Sequence, residues 1–182
     1  QDLFGRLGDR DIIVLPLLFS DGFFFQQRLK PHVGGPRQHL FEPLAFWPEF
    51  PVFLADNLAA RLLGRLADPR VVLVAHGSGK SDASARAAAK VAEGMQKRFG
   101  QIQPAFLEEE PFAQDAISAV VPPYAVVGLF FGAGMHGEDD FSSLISGAPA
   151  PPETHFTVGE LPGLTDLVAR KALAGLAKLQ TG

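Results

Sequence analysis

Val71-Val-Leu-Val-Ala-His-Gly-Ser-Gly-Lys80 decides the fold. Five consecutive apolar residues, mostly β-branched, stop at His76, and glycines follow at 77 and 79. A continuous apolar run closed by a glycine turn predicts a strand buried on both faces, as parallel sheets use. Ser81-Asp82 supply capping chemistry for a helix over 82–99. Its Ala85, Ala88, Ala89, Ala92 and Met95 form a small-residue stripe suited to close packing on a sheet. His76 then stands at the carboxyl end of a central parallel strand, the edge at which open α/β sheets bind ligands.

A second stretch has the same design. Tyr124–Phe131 reads as a buried strand, and Gly132-Ala-Gly-Met-His-Gly137 places His136 on a glycine-rich turn just past it. A third strand, Ile102–Leu107, runs into Glu108-Glu-Glu110. Three strands therefore deliver His76, Glu108 and His136 to one edge. Two imidazoles and a carboxylate suit a borderline divalent ion such as Co²⁺, Fe²⁺, Ni²⁺ or Zn²⁺, and a ligand set with open positions suits transient handling more than structural closure. The imidazoles must be neutral to ligate, so metal affinity falls as pH drops through their titration.

Working outward, Asp11–Phe19 predicts a strand limited near its end by Pro16, residues 23–40 a short helix plus loop, and Phe41–Phe46 a weak strand. Pro51–Leu66 carries apolar residues at helical spacing until Asp68-Pro69 breaks it. After the His76 strand and its helix come a helix over Pro111–Val120, a short helix over Glu138–Ile145, a proline loop at 148–152, a strand at Thr154–Val158 and a closing amphipathic helix at Leu164–Leu179. The two ends of the chain match. Pro16–Phe25 resembles Gly128–Gly137, and Trp47–Pro51 resembles Leu161–Thr165, each of the latter pair opening a long helix. The expected architecture is a duplicated α/β unit: residues 1–68 the second half of a degenerate first copy, residues 69–182 a complete copy with a parallel four-stranded sheet flanked by helices. The counterpart of His76 in the first copy would fall ahead of Gln1, so a further N-terminal piece is expected.

Bulk properties narrow the function. The 182 residues are 47% hydrophobic, ample for a core, and a net charge of −4 without a basic stripe argues against nucleic acid. With no cysteine there are no disulfides, thiolate metal sites or cysteine nucleophiles. No run of about 18 uncharged apolar residues is present, and Gln1-Asp-Leu-Phe4 has no basic leader, so the expectation is a cytoplasmic protein that does not span a membrane.

Val74-Ala-His76-Gly-Ser78, Ala105-Phe-Leu-Glu108 and Leu129-Phe-Phe-Gly-Ala-Gly-Met-His136, in that order and strand context, resemble the sirohydrochlorin chelatases, class II enzymes that insert metal into tetrapyrroles. The resemblance runs throughout 70–182, with 11–66 as the second half of another copy. It implies insertion of Co²⁺ or Fe²⁺ into sirohydrochlorin, towards cobalamin or siroheme, without redox chemistry or a nucleotide. It also implies that His76, Glu108 and His136 handle the metal. A base must remove two pyrrole protons and a ligand must pass the metal on, and neutral imidazole does either. His76 takes the metal and proton-accepting roles, His136 stands opposite it, and Glu108 assists. A flat macrocycle wants an apolar, aromatic cleft, for which Phe130, Phe131, Met135 and Phe23–Phe25 are candidates. Its peripheral carboxylates want cations at the rim, with Lys80, Arg86, Arg28 and Lys30 as candidates and Ser78 in the same turn. Phe24 takes the place of His136 in the first copy, so a working site belongs to the second copy.

Plainer readings compete. Gly77-Ser-Gly-Lys-Ser81 ends like a phosphate-binding loop, but Val74 occupies the position of that pattern's first glycine, which argues against ATP. Glu108–Glu110 also reads as a solvated acidic run, Phe23–Phe25 as packing, Asp139-Asp140 as first-turn helix charge, and His32, His39 and His155 as bystanders. A metal or tetrapyrrole carrier of the same fold and a purely structural copy are the rival functions. An uncovered sheet edge would favour a homodimer.

Overall fold

The computed structural model describes residue 7 and residues 10–62, 69–131 and 137–180. A short strand, β1 (Ile12–Val14), pairs in parallel with β2 (Gln38–Leu40). The strand predicted over Asp11–Phe19 stops after three residues, just ahead of Pro16, which has no amide hydrogen for a ladder. A π-helix (Phe24–Leu29) and a 3-10 turn (Lys30–His32) lie between the two strands.

The weak strand expected at Phe41–Phe46 lies elsewhere. The chain pairs at 38–40, Phe41 adds one more ladder bond through its N–H to the Val14 carbonyl (3.0 Å), and Leu44–Phe46 forms a 3-10 turn. Pro43 again explains the stop: it cannot donate to a ladder, and the chain turns instead. The Trp47 indole N–H then closes the turn on the Glu42 carbonyl at 2.7 Å. Helix α1 (Phe50–Leu62) follows and buries Phe50, Leu54, Leu58 and Leu62.

The second part of the chain alternates strand and helix: β3 (Arg70–Ala75), α2 (Ala83–Met95), β4 (Ile102–Phe106), α3 (Ala113–Ala119), β5 (Tyr124–Gly128), α4 (Gly137–Ser146), β6 (Thr154–Thr157) and α5 (Leu164–Gln180). Its sheet is parallel throughout, in the order β4-β3-β5-β6. The β-branched run at 71–75 occupies the centre, buried on both faces as its pattern predicts. Val71, Leu73 and Ala75 pack with α1, α2 and α5, while Val72 and Val74 pack with α3 and Phe141 of α4, the alternation that a strand imposes.

From β3 the chain first adds β4 on one side and then β5 on the other. The carboxyl ends of β3 and β5 thus flank a topological switch point, where such sheets open a crevice. Register keeps the ends level, with Ala75 opposite Phe106 and Val74 opposite Gly128.

Residues 10–62 lie against the α2–α5 face. Any side chain at Gly94 of α2 would run into the Pro51 ring, 2.5 Å from an added Cβ, so the ring of α1 sits directly on the α2 backbone. Gly175 of α5 is pressed in the same way against Phe41. Lys171 of α5 donates to Glu49 Oε1 at 2.8 Å and sits 5.2 Å over the Trp47 ring. Partial burial pushes the Glu49 carboxyl up, but the Lys171 bond and charge, with a backbone hydrogen bond, outweigh it and leave it below its ordinary value. The order β1, short helices, β2, 3-10 turn, α1 parallels β5, α4, β6, the 3-10 turn Val158–Glu160, α5.

Candidate metal centre and flanking hollows

His76 is the first residue past β3. Its carbonyl accepts the N–H of Glu108 (2.9 Å) and of Leu107 (3.1 Å), which lashes the end of β3 to the end of β4. Gly77 then turns the chain at φ +84°, a region that favours glycine. Space also demands glycine: an added Cβ would lie 2.9 Å from Phe106 Cβ and 3.0 Å from Glu109 Cγ. The Gly77 N–H donates to Ser84 Oγ at 3.1 Å and the Ser78 N–H to Glu109 Oε1 at 3.1 Å. Ser78 Oγ accepts the Lys80 N–H at 3.3 Å, so this serine closes its own turn.

The arrangement brings the His76 imidazole and the Glu108 carboxylate together. Nδ1 and Oε2 are 3.5 Å apart, and the two side chains are 55% and 61% exposed. So open a pair adds little to stability; it is accessible to a solute. An imidazole nitrogen beside a carboxylate oxygen fits a borderline divalent ion. Among the described residues, no group of three or more histidine or acidic side chains gathers at one point. His136 and Met135 of the sequence reading lie outside the described residues.

Two hollows meet at His76. One, of about 320 Å³, is lined on one side by Phe19, Phe23, Phe24 and Phe25 and on the other by Ala75, Ser84, Ala87 and Leu129. The other, of about 960 Å³, opens between α3 and α4, with Glu108, Gln114, Asp115, Asp140 and Ser143 among apolar neighbours. Sequence reasoning missed the second hollow, because it is a gap between two helices whose separation no local pattern encodes. It also missed Glu109, one of three consecutive glutamates; the hydrogen bond to a turn distant in sequence is what distinguishes it.

The aromatic candidates separate. Phe23 and Phe24 are exposed, 60% and 69%, and meet edge to face with ring centroids 6.0 Å apart. The Arg28 guanidinium lies 5.5 Å from the Phe23 centroid. Phe25 is buried. Phe130, expected in the cleft, is instead buried against Phe141 at 5.9 Å, because Gly128 beneath it leaves room for both rings. Phe131 stacks on Phe19 at 4.4 Å, which places it in the packing behind the aromatic hollow.

The cations separate too. Arg86 donates to Asp21 at 3.1 Å and pairs with Asp82 at 3.3 Å, and these charges, Asp21 first, raise its pKa further. It ties the turn after β1 to the start of α2. Lys80, Arg28 and Lys30 are exposed. His32, His39 and His155 lie in the 3-10 turn, β2 and β6, and none of them lines either hollow.

A family model described as CbiX matches residues 70–176. Among solved structures, the CbiX described as the terminal enzyme for biosynthesis of siroheme in denitrifying bacteria is 26% identical. The match covers 91% of this chain and 76% of that one, with a TM-score of 0.76. SirB from Bacillus subtilis with Fe³⁺ is 18% identical over 87% of this chain and 68% of that one, TM-score 0.63. A sirohydrochlorin chelatase SirB from Bacillus subtilis subspecies spizizenii, in complex with cobalt, is 18% identical over 83% and 64%, TM-score 0.55. The two SirB likenesses speak to fold alone. No curated protein sequence matches the chain.

Proposed function

The chain belongs to the CbiX family, and from that premise we propose that it is a chelatase inserting a divalent metal ion, Co²⁺ or Fe²⁺, into sirohydrochlorin or a closely related tetrapyrrole. The observation that carries the reading is the juxtaposition of His76 and Glu108 at the carboxyl ends of β3 and β4, solvent-accessible, with His76 lining both hollows. The metal ion is a substrate. A neutral His76 imidazole would bind it, hand it to the macrocycle and, once freed of the metal, accept one of the two displaced pyrrole protons, the other leaving to solvent. Glu108 is the neighbouring anion that stabilises a protonated or metal-bound ring. The aromatic hollow, lined by Phe23 and Phe24, would take a flat pigment, Arg28 beside Phe23 would meet one of its carboxylates, and exposed Lys30 and Lys80 are further candidates. His136 is assigned the second imidazole, and Met135 and Ser78 the margins of the site. No step needs a nucleotide.

We further read residues 1–68 as the second half of a degenerate repeat and 69–182 as the complete unit; the parallel element order supports this. On that reading the first copy supplies the aromatic wall and the second the metal-handling groups.

The test is spectroscopic. The protein is mixed with sirohydrochlorin and Co²⁺ or Fe²⁺, and the absorption change of metallation is followed. Catalytic acceleration that His136→Ala abolishes supports the reading. Stoichiometric binding without turnover would make the protein a carrier, and neither binding nor acceleration would leave a structural role.

A further inference from the structure

Glu109 lines neither hollow, yet it holds the turn that carries His76. Its Oε1 accepts the Ser78 N–H at 3.1 Å, and its Cγ lies where a side chain at position 77 would have to go. On the other side of the turn, Ser84 Oγ of α2 accepts the Gly77 N–H. The two amides that follow His76 are thus held by side chains from two different elements. The His76 carbonyl is held from a third direction by the N–H groups of Leu107 and Glu108. Consecutive glutamates have different work here: Glu108 faces the imidazole, whereas Glu109 reaches past it to the backbone.

We propose that Glu109 is a positioning residue for metal insertion, clamping the His76-Gly77-Ser78 turn through the Ser78 amide so that the imidazole stays opposed to Glu108. A side-chain oxygen held within reach of a backbone N–H fixes it in one direction, which exchanging water does not, and residues that orient a metal-handling histidine govern metal affinity and rate without touching the metal. The inference rests on the metal-insertion reading of this site.

Three variants test it. Glu109→Gln keeps an oxygen at the same reach, Glu109→Asp keeps the charge but withdraws it by one methylene, and Glu109→Ala removes the acceptor. Metallation kinetics, Co²⁺ affinity by calorimetry and hydrogen exchange of the Ser78 amide are measured for each. The expected result is a loss of about 10–100-fold in kcat or Co²⁺ affinity for the Ala and Asp variants. KM for sirohydrochlorin should be unchanged, Ser78 amide protection lost, and all three readouts rescued to near wild type by Gln. Wild-type kinetics and affinity in Glu109→Ala would overturn the proposal, as would rescue by Asp but not Gln, which would mean that charge and not reach matters. If Glu109→Ala fails to fold, the Asp–Gln contrast decides. A wild-type protein that metallates nothing would sink the parent reading and with it the role in insertion, whereas wild-type metallation with wild-type behaviour in Glu109→Ala would sink this inference alone.

Discussion

Gly77 joins backbone conformation to chemistry. Its positive φ and its contact with Phe106 and Glu109 let β3 and β4 end side by side, and only then do His76 and Glu108 meet. Gly77→Ala should lower unfolding free energy by about 1–3 kcal/mol, the order of cost of an L-residue forced into such a region. Metallation should fall with it. Denaturant titration and the absorption assay check both, and a variant of unaltered stability and rate would show that the turn can relax. The place of His76 at the end of a buried strand was legible in the sequence, because a β-branched apolar run closed by a histidine and a glycine marks a strand end. The position of Glu108 past the next strand was legible in the same way; the contact of Glu109 was not, since neighbouring identical side chains are distinguished only by what the fold brings to each.

At the scale of elements, the junction between β6 and α5 is held by a capping box. Glu160 Oε2 accepts the Thr157 N–H at 2.6 Å and the Thr157 hydroxyl at 2.8 Å. The backbone bond from Thr157 is the main reason its carboxyl lies below the ordinary value; burial opposes this, while the Thr157 hydroxyl and the nearby charges of Arg61 and His155 assist. A carboxyl depressed on folding contributes stability above its unfolded value and loses it as pH falls through the folded one. Glu160→Ala should therefore cost about 1 kcal/mol at neutral pH, and the gap from wild type should close below about pH 4. Urea unfolding at both pH values tests this; a gap that ignores pH would contradict the cap. The strands and helices of 70–180 were legible because buried parallel strands and amphipathic helices have strong periods. β2 was not, since Gln38-His-Leu40 is polar and half-buried, while the more apolar Phe41–Phe46 contains Pro43.

At the scale of the whole molecule, one apolar core joins α1 to β3, β5, α2 and α5. Leu58, fully buried there, should cost about 2–5 kcal/mol when cut to alanine. Fluorescence of Trp47, the single tryptophan, and far-ultraviolet circular dichroism should shift together, because both parts of the chain unfold as one unit. Two separated transitions would show that residues 10–62 fold apart. The parallel sheet flanked by helices was legible from the order of its strands, whereas the mutual packing of α1, α2 and α5 depends on contacts such as Gly94 on Pro51 that no local pattern reveals. On the proposed function, the joint work of the two parts is metal insertion at His76. The most direct measurement is the initial rate of Co²⁺ insertion into sirohydrochlorin by the intact chain and by His76→Ala. An accelerated rate that falls to the uncatalysed background in the variant is the predicted result; equal rates in the two proteins, or no acceleration by either, would contradict it.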